Sequence, residues 1–128
     1  PEQLKYIIEE ILANASFSIE VEVHGHNIIL NEDFLVPISM MINELVTNSL
    51  KYAFHGVDNP RITVEYQEDE NSLTLSYKDN GNSSKLKKEI KEGLGSLIIE
   101  GLASQLNGSI IKNFDDGFQF VLNIPKNR

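Results

Sequence analysis

Apolar residues recur along this chain in two periods. In EQLKYIIEEILANA (2–15), Leu4, Ile7, Ile8, Ile11 and Leu12 fall at helical spacing, so a helix is expected there. In FSIEVEVHG (17–25), Ile19, Val21 and Val23 alternate with Glu20, Glu22 and His24, the pattern of a half-buried strand. NIIL (27–30) reads as a short second strand after a turn at Gly25 and His26. NEDFLVPISMMINELVTNSLKYAFHG (31–56) predicts one long helix, capped by Asn31 or Asp33 and stopped at Gly56, with Pro37 in or near the first turn. RITVEYQ (61–67) and SLTLSYKD (72–79) alternate and form a hairpin pair around EDEN. NGNSSKLKKEIKEG (80–93) reads as a polar loop, LGSLIIEGLASQLNG (94–108) as a helix ending at Gly108. SIIKNF and FQFVLNIP close the chain as a hairpin across DDG. Hairpins interleaved with helices predict an α+β fold, helices layered on one face of a mostly antiparallel sheet.

The chain has 128 residues, which suits one domain with a sizeable core. Its 11 basic and 19 acidic residues give a net charge of −8, so a broad grip on DNA or RNA is not expected. There is no cysteine, which excludes disulfides and cysteine zinc sites. No apolar run reaches the roughly 18 residues needed to span a bilayer, so no direct membrane contact is expected. The first residue is Pro1, and the opening runs straight into a helical pattern, as in a piece of a longer polypeptide. A cytoplasmic location fits that reading.

The long helix carries an unusual stripe. At about 100° per residue, Glu44, Asn48, Lys51 and His55 fall within a narrow sector. Leu35, Ile42, Ser49 and Ala53 fall on the opposite side. The plain explanation is a solvated face. Three further stretches point elsewhere. KDNG (78–81) ends a strand with an acid followed by a glycine, where backbone can come close to a ligand, although an ordinary Asn-Gly turn has the same letters. GLGS (93–96) opens a helix, leaving bare amides at its positive end to receive an anion. KLKKEIKE (85–92) places Lys85, Lys87, Lys88 and Lys91 just before it, as a phosphate-contacting island or a solvated loop.

In this order, INELVTNSLKYAF, DNG, GLGSLIIEGLASQLNGSI and DDGFQFVLNIP resemble the catalytic ATP-binding domain of sensor histidine kinases. These kinases belong to the wider superfamily of gyrase, Hsp90 and MutL ATPases. The NELVTNxLKxAF form is similar to kinases related to bacterial light and stress sensors. The resemblance implies a two-layer α/β sandwich, the Bergerat fold, over 15–128, its mixed sheet covered on one face by three helices. Residues 1–14 would end a linker helix from a dimerisation and phosphotransfer region. ATP and Mg²⁺ would bind between the long helix and a lid. By the same resemblance Asn48 is the Mg²⁺ ligand, Lys51 approaches the phosphates, and Glu44 holds the place of a general base in hydrolysing relatives. Asn43 helps position metal waters, and Tyr52 packs near the base or in the core. Asp79 accepts a hydrogen bond from the adenine amino group, and Gly81 lets the base lie against backbone. Gly93, Leu94, Gly95 and Ser96 hinge the lid and offer amides to the phosphates. The implied partners are the phosphotransfer helices of the parent chain and a response regulator.

The chain departs from the pattern in places. Ser83 stands where a second glycine is usual, Phe118 where a threonine is usual, and Ser96 ends GLGS in place of a leucine. These changes favour an alternative, a nucleotide-binding or pseudokinase module without phosphate transfer. Glu44 favours another, a serine kinase of the anti-sigma-factor class. None of His24, His26 and His55 lies where a phosphoacceptor is expected.

Overall fold

A computed structural model describes residues 2–13, 15, 17–25, 32–82 and 94–126. The elements in order are α1 (Glu2–Leu12), β1 (Glu20–Gly25), α2 (Glu32–Asn48), one π-helical turn (Ser49–Ala53), β2 (Arg61–Glu68), β3 (Ser72–Asp79), α3 (Leu94–Gln105), β4 (Ser109–Asn113) and β5 (Phe118–Pro125). The strands form one sheet in the order β1-β2-β3-β5-β4. β1 runs parallel to β2, and the other three pairs are antiparallel.

Strand alternation decides which face is covered. Ile62, Val64 and Tyr66 on β2, Leu73, Leu75 and Tyr77 on β3, and Phe118, Phe120, Leu122 and Ile124 on β5 are all buried. The intervening Arg61, Thr63 and Glu65, and Ser72, Thr74, Ser76 and Lys78, line the opposite, wetter face. The helices supply the other half of the core. Leu4 and Ile8 of α1 sit one turn apart and are buried, as are Ile38, Met41, Ile42, Leu45 and Val46 of α2 and Ile99 and Ala103 of α3. The architecture is the expected α+β sandwich with three helices on one side of a mixed sheet. α1 contributes buried side chains to that core.

Three local expectations change. The long helix begins at Glu32, so Asp33 lies inside it and is no cap, while Asn31 is outside the described residues. Pro37 sits in the second turn, not the first. The regular helix stops at Asn48 and widens into the π turn, ending before a left-handed Gly56 at φ 73°. Residues 26–31 are outside the described set, so NIIL is too; within that set, β1 is an edge strand beside β2.

Two glycines bracket Asp79. A Cβ on Gly81 would lie 2.5 Å from the carbonyl oxygen of Ala53 in the π turn. Gly117 has φ 73°, and a Cβ there would collide with the carbonyl oxygen of Asp79. The Gly117→Ala variant is expected to lose about 1–2 kcal/mol from its left-handed backbone alone, and more from the collision. Gly101, inside α3 with open space around it, provides the contrast. There Gly→Ala is expected to gain about 0.5–1 kcal/mol. Urea unfolding of the two variants checks both signs.

Candidate functional site

β3 ends at Asp79, whose side chain alternation aims at the helix layer. The residue is 1% exposed, with no cation paired to it among the described residues. Its charge is met by three donors instead. The Ser49 hydroxyl donates to Oδ2 at 2.7 Å. The backbone N–H groups of Gly81 and Phe118 donate to Oδ1 at 3.0 and 3.3 Å. Burial raises the carboxyl above its ordinary value, and these hydrogen bonds pull the other way. Ser49 is also 2.7 Å from the Tyr77 hydroxyl, which lies 3.4 Å from the carbonyl oxygen of Leu45. Tyr77 is held well above its ordinary value by burial, then by the Asp79 charge, so it keeps its proton.

The turn after β3 is fastened to the π turn. Asn82 N–H donates to the Ala53 carbonyl at 2.7 Å, and Gly81 packs against the same carbonyl. Gly81 is thus required for contact with the helix end, a reason the sequence did not suggest. On the other side of the sheet end, Asn80 accepts from Arg61 N–H at 2.7 Å and donates to Asn59 O at 3.0 Å. A cavity of about 270 Å³ lies at this corner, lined by Arg61, Thr63, Lys78, Asp79, Asn80 and Gly81 among others.

The polar stripe divides on inspection. Lys51 is exposed on the π turn and Glu44 is half-buried, but Asn48 is only 8% exposed. Its side chain makes no hydrogen bond to any described residue, and no fully enclosed polar atom is left unpaired. Its amide atoms are thus still reached by solvent, although most of the residue is covered. Asn43 and Glu44 line a second cavity, about 310 Å³, with Ser39, Met40 and Ile98 of α3. α2 therefore joins two regions. Asn43 and Glu44 face the cavity against α3, Ser49 faces Asp79, and Asn48 lies between.

Tyr52 is half-buried against the core, the plainer of its two expected roles. Leu94, Gly95 and Ser96 lie in the first turn of α3, whereas Gly93, Ser83 and the lysines of 85–91 fall outside the described residues. Phe118 is buried, stacked obliquely on Tyr77 and Phe114 at centroid distances of 6.3 and 5.2 Å. Its ring fills the core beneath Asp79 while its amide serves the carboxylate. His24 is exposed beside Glu22, and His55 folds back to the carbonyl of Lys51 at 3.1 Å. Sequence reasoning missed Ser49 and Tyr77. The one available signal was a serine at the centre of an otherwise apolar helix face.

No family model matches the chain. It is 28% identical over 112 residues to the blue-light-activated histidine kinase 1 of Erythrobacter litoralis, covering 85% of this chain and 31% of that protein. It is 31% identical over 101 residues to the serine-protein kinase RsbW of Listeria monocytogenes, covering 66% of this chain and 62% of that protein. The histidine kinase domain of a blue-light activated histidine kinase from Erythrobacter litoralis superposes with a TM-score of 0.83 at 21% identity, over 97% of this chain and 59% of that one. The chain thus spans about a third of the first relative's length and under two thirds of the second's. In fold, the chain is similar to that histidine kinase domain.

Proposed function

We propose that this chain binds ATP with Mg²⁺ and acts as the catalytic domain of a two-component histidine kinase. It would donate the γ-phosphate to a histidine on a separate helical domain of its parent, for relay to a response regulator in the cytoplasm. α1, within 1–14, would be the end of the helix leading from that domain. The observation that carries the reading is the buried carboxylate of Asp79, which pairs with no cation among the described residues, bonded to Ser49, the neighbour in sequence of the nearly buried Asn48. A carboxylate so placed costs stability unless it has a ligand to meet.

The donor set suits a hard cation. Among the described residues no group of three or more His, Asp and Glu could hold an ion. Mg²⁺ needs no such cage, because it keeps waters and takes phosphate oxygens with one or two protein oxygens. Asn48 would supply one, and the ion would neutralise charge on the phosphates. Lys51 would contribute a point charge, the amides of 93–96 an anion seat, and Asn43 an amide toward metal-bound water. Catalysis by these residues is positioning and charge neutralisation.

A serine-kinase reading has its own support in Glu44, half-buried on the 310 Å³ cavity, and in the likeness to RsbW. Helices long and apolar enough to cross a membrane are absent among the described residues.

The Asn48→Ala variant is expected to bind ATP about tenfold more weakly or worse in Mg²⁺, the loss seen even for outer-shell metal partners, and unchanged in EDTA. Calorimetry under both conditions checks it, and equal Mg²⁺ dependence in parent and variant rules out Asn48 as a ligand. For Glu44→Gln, a general base predicts a fall of about a hundredfold or more in phosphate transfer at unchanged ATP affinity. Unchanged transfer leaves Glu44 a positioning group and favours the histidine-kinase reading.

Asp79→Asn yields a pH test. A raised carboxyl value means that the fold prefers the protonated acid. Stability from this group is full below the ordinary carboxylate range and is lost as pH rises through the raised value. The Asn variant escapes that loss. It is expected to melt higher than the parent at neutral pH, by a margin that shrinks on acidification, while binding ATP more weakly. Thermal melts across pH, with ATP titration at neutral pH, check the pair of effects.

A further inference from the structure

The hydroxyls around Asp79 can be counted proton by proton. An ionised carboxylate accepts only, offering about four lone-pair positions. Gly81 and Phe118 N–H take the two on Oδ1, and Ser49 takes one on Oδ2. One acceptor position on Oδ2 remains. Ser49 has a single proton, and it is committed to Asp79. The 2.7 Å bond between Ser49 and Tyr77 therefore runs from Tyr77 to Ser49, in preference to the 3.4 Å contact from Tyr77 to Leu45 O. The chain is polarised in one direction: Tyr77 to Ser49 to Asp79. If Asp79 were protonated, the whole chain could reverse, with Asp79 donating to Ser49, Ser49 to Tyr77, and Tyr77 to Leu45 O. The geometry admits both states, and the direction is set by the charge on Asp79.

We infer that Ser49 is the specificity-determining positioning residue of the nucleotide site: its hydroxyl holds Asp79 as an acceptor, so that the site takes a base with an amino group and rejects one with a carbonyl in that place. Ser49 is 0% exposed, so no water competes for that bond. It is the first residue of the π turn, whose Ala53 carbonyl binds Asn82 and abuts Gly81. The same turn that aims the hydroxyl at Oδ2 thus fixes the loop carrying the carboxylate. Without the hydroxyl, Asp79 loses its one side-chain donor. Its protonated form can then donate to a carbonyl, and the distinction between the two bases blurs. This inference rests on the ATP-binding reading above.

The test compares ATP with inosine triphosphate, which carries a carbonyl in place of the amino group, by calorimetry on the whole chain. In the parent, ATP is expected to bind more tightly. In Ser49→Ala the ratio of the two affinities is expected to fall about tenfold, the scale of one hydrogen bond to a charged group. Tyr77→Phe leaves the Ser49 proton on Asp79, so its ratio is expected to stay near the parent value. A parent that binds neither nucleotide overturns the ATP reading, and this inference with it. A parent that prefers ATP, with the ratio unchanged in Ser49→Ala, overturns the inference alone. Equal loss in Tyr77→Phe and Ser49→Ala overturns it too, because the effect would then be one of core packing.

Discussion

One buried carboxylate joins the two layers of this sandwich. Asp79 belongs to the sheet, yet its partners come from three elements: Ser49 from the helical layer, Gly81 from the following turn and Phe118 from the adjacent strand. Each hydrogen bond to a charged group contributes about 1.5–3 kcal/mol against leaving it unmade. The cost of taking the charge out of water is of comparable size or larger, which is why burial still raises the acid above its ordinary value. An apolar residue would serve stability better at this position. Under the proposed function the network holds an acceptor ready for a ligand, at some cost to the fold.

The π turn makes the network possible. A wide turn places Ser49 and Ala53 both against the sheet, each 0% exposed, while Lys51 between them stays in solvent. Its carbonyl at Ala53 then receives the turn after β3. Such one-turn widenings are often found at functional sites. Here the local reason is visible, since the extra residue lets a single helix end contact both the carboxylate and the loop behind it. Gly81 and Gly117 are small for the same reason. Each lies where backbone from a neighbouring element passes too near for a side chain.

Much of this was legible in the residues. Period-2 alternation in 61–67, 72–79 and 118–125 marked the strands and the face they bury, because a half-covered sheet imposes that period. The spacing of Leu4 and Ile8, and of Ile42, Ser49 and Ala53 opposite the polar stripe, marked the helix faces. The failures have physical causes. A helical wheel put Ser49 and Ala53 on the buried side and Lys51 on the wet side, as found, but it assumes a constant turn and so gave no sign of the widened backbone. Ser49 looked like a small residue among apolar neighbours, and its partners on β3 are 28 and 30 residues away. The parallel pairing of β1 with β2 was hidden by the helix that crosses between them, which local alternation cannot register. Asn48 was marked by spacing, but its burial was not, since the stripe alone fits a wet surface equally well.

The two regions of the site are coupled by geometry rather than by contact. Asn43 on α2 and Ser49 at the start of the π turn are six residues apart, which at 1.5 Å per residue is about 9 Å along the axis. The helix thus carries the cavity against α3 at one level and the carboxylate network at another, with Asn48 between them. Under the proposed function this separation is that between the phosphates and the base of one nucleotide. A rigid helix with five buried residues on its core face cannot slide to suit a shorter or longer ligand. Recognition of the base at Ser49 and Asp79 would then fix where the phosphates lie relative to Asn43, Glu44 and Asn48. A base held in the wrong orientation would leave the phosphates misplaced by ångströms, and positioning is what this kind of catalysis consists of. On that reading the discriminating contact and the reacting end of the ligand would be set by one continuous helical segment, so a change at the serine would be felt at the phosphate without any movement of the helix between them.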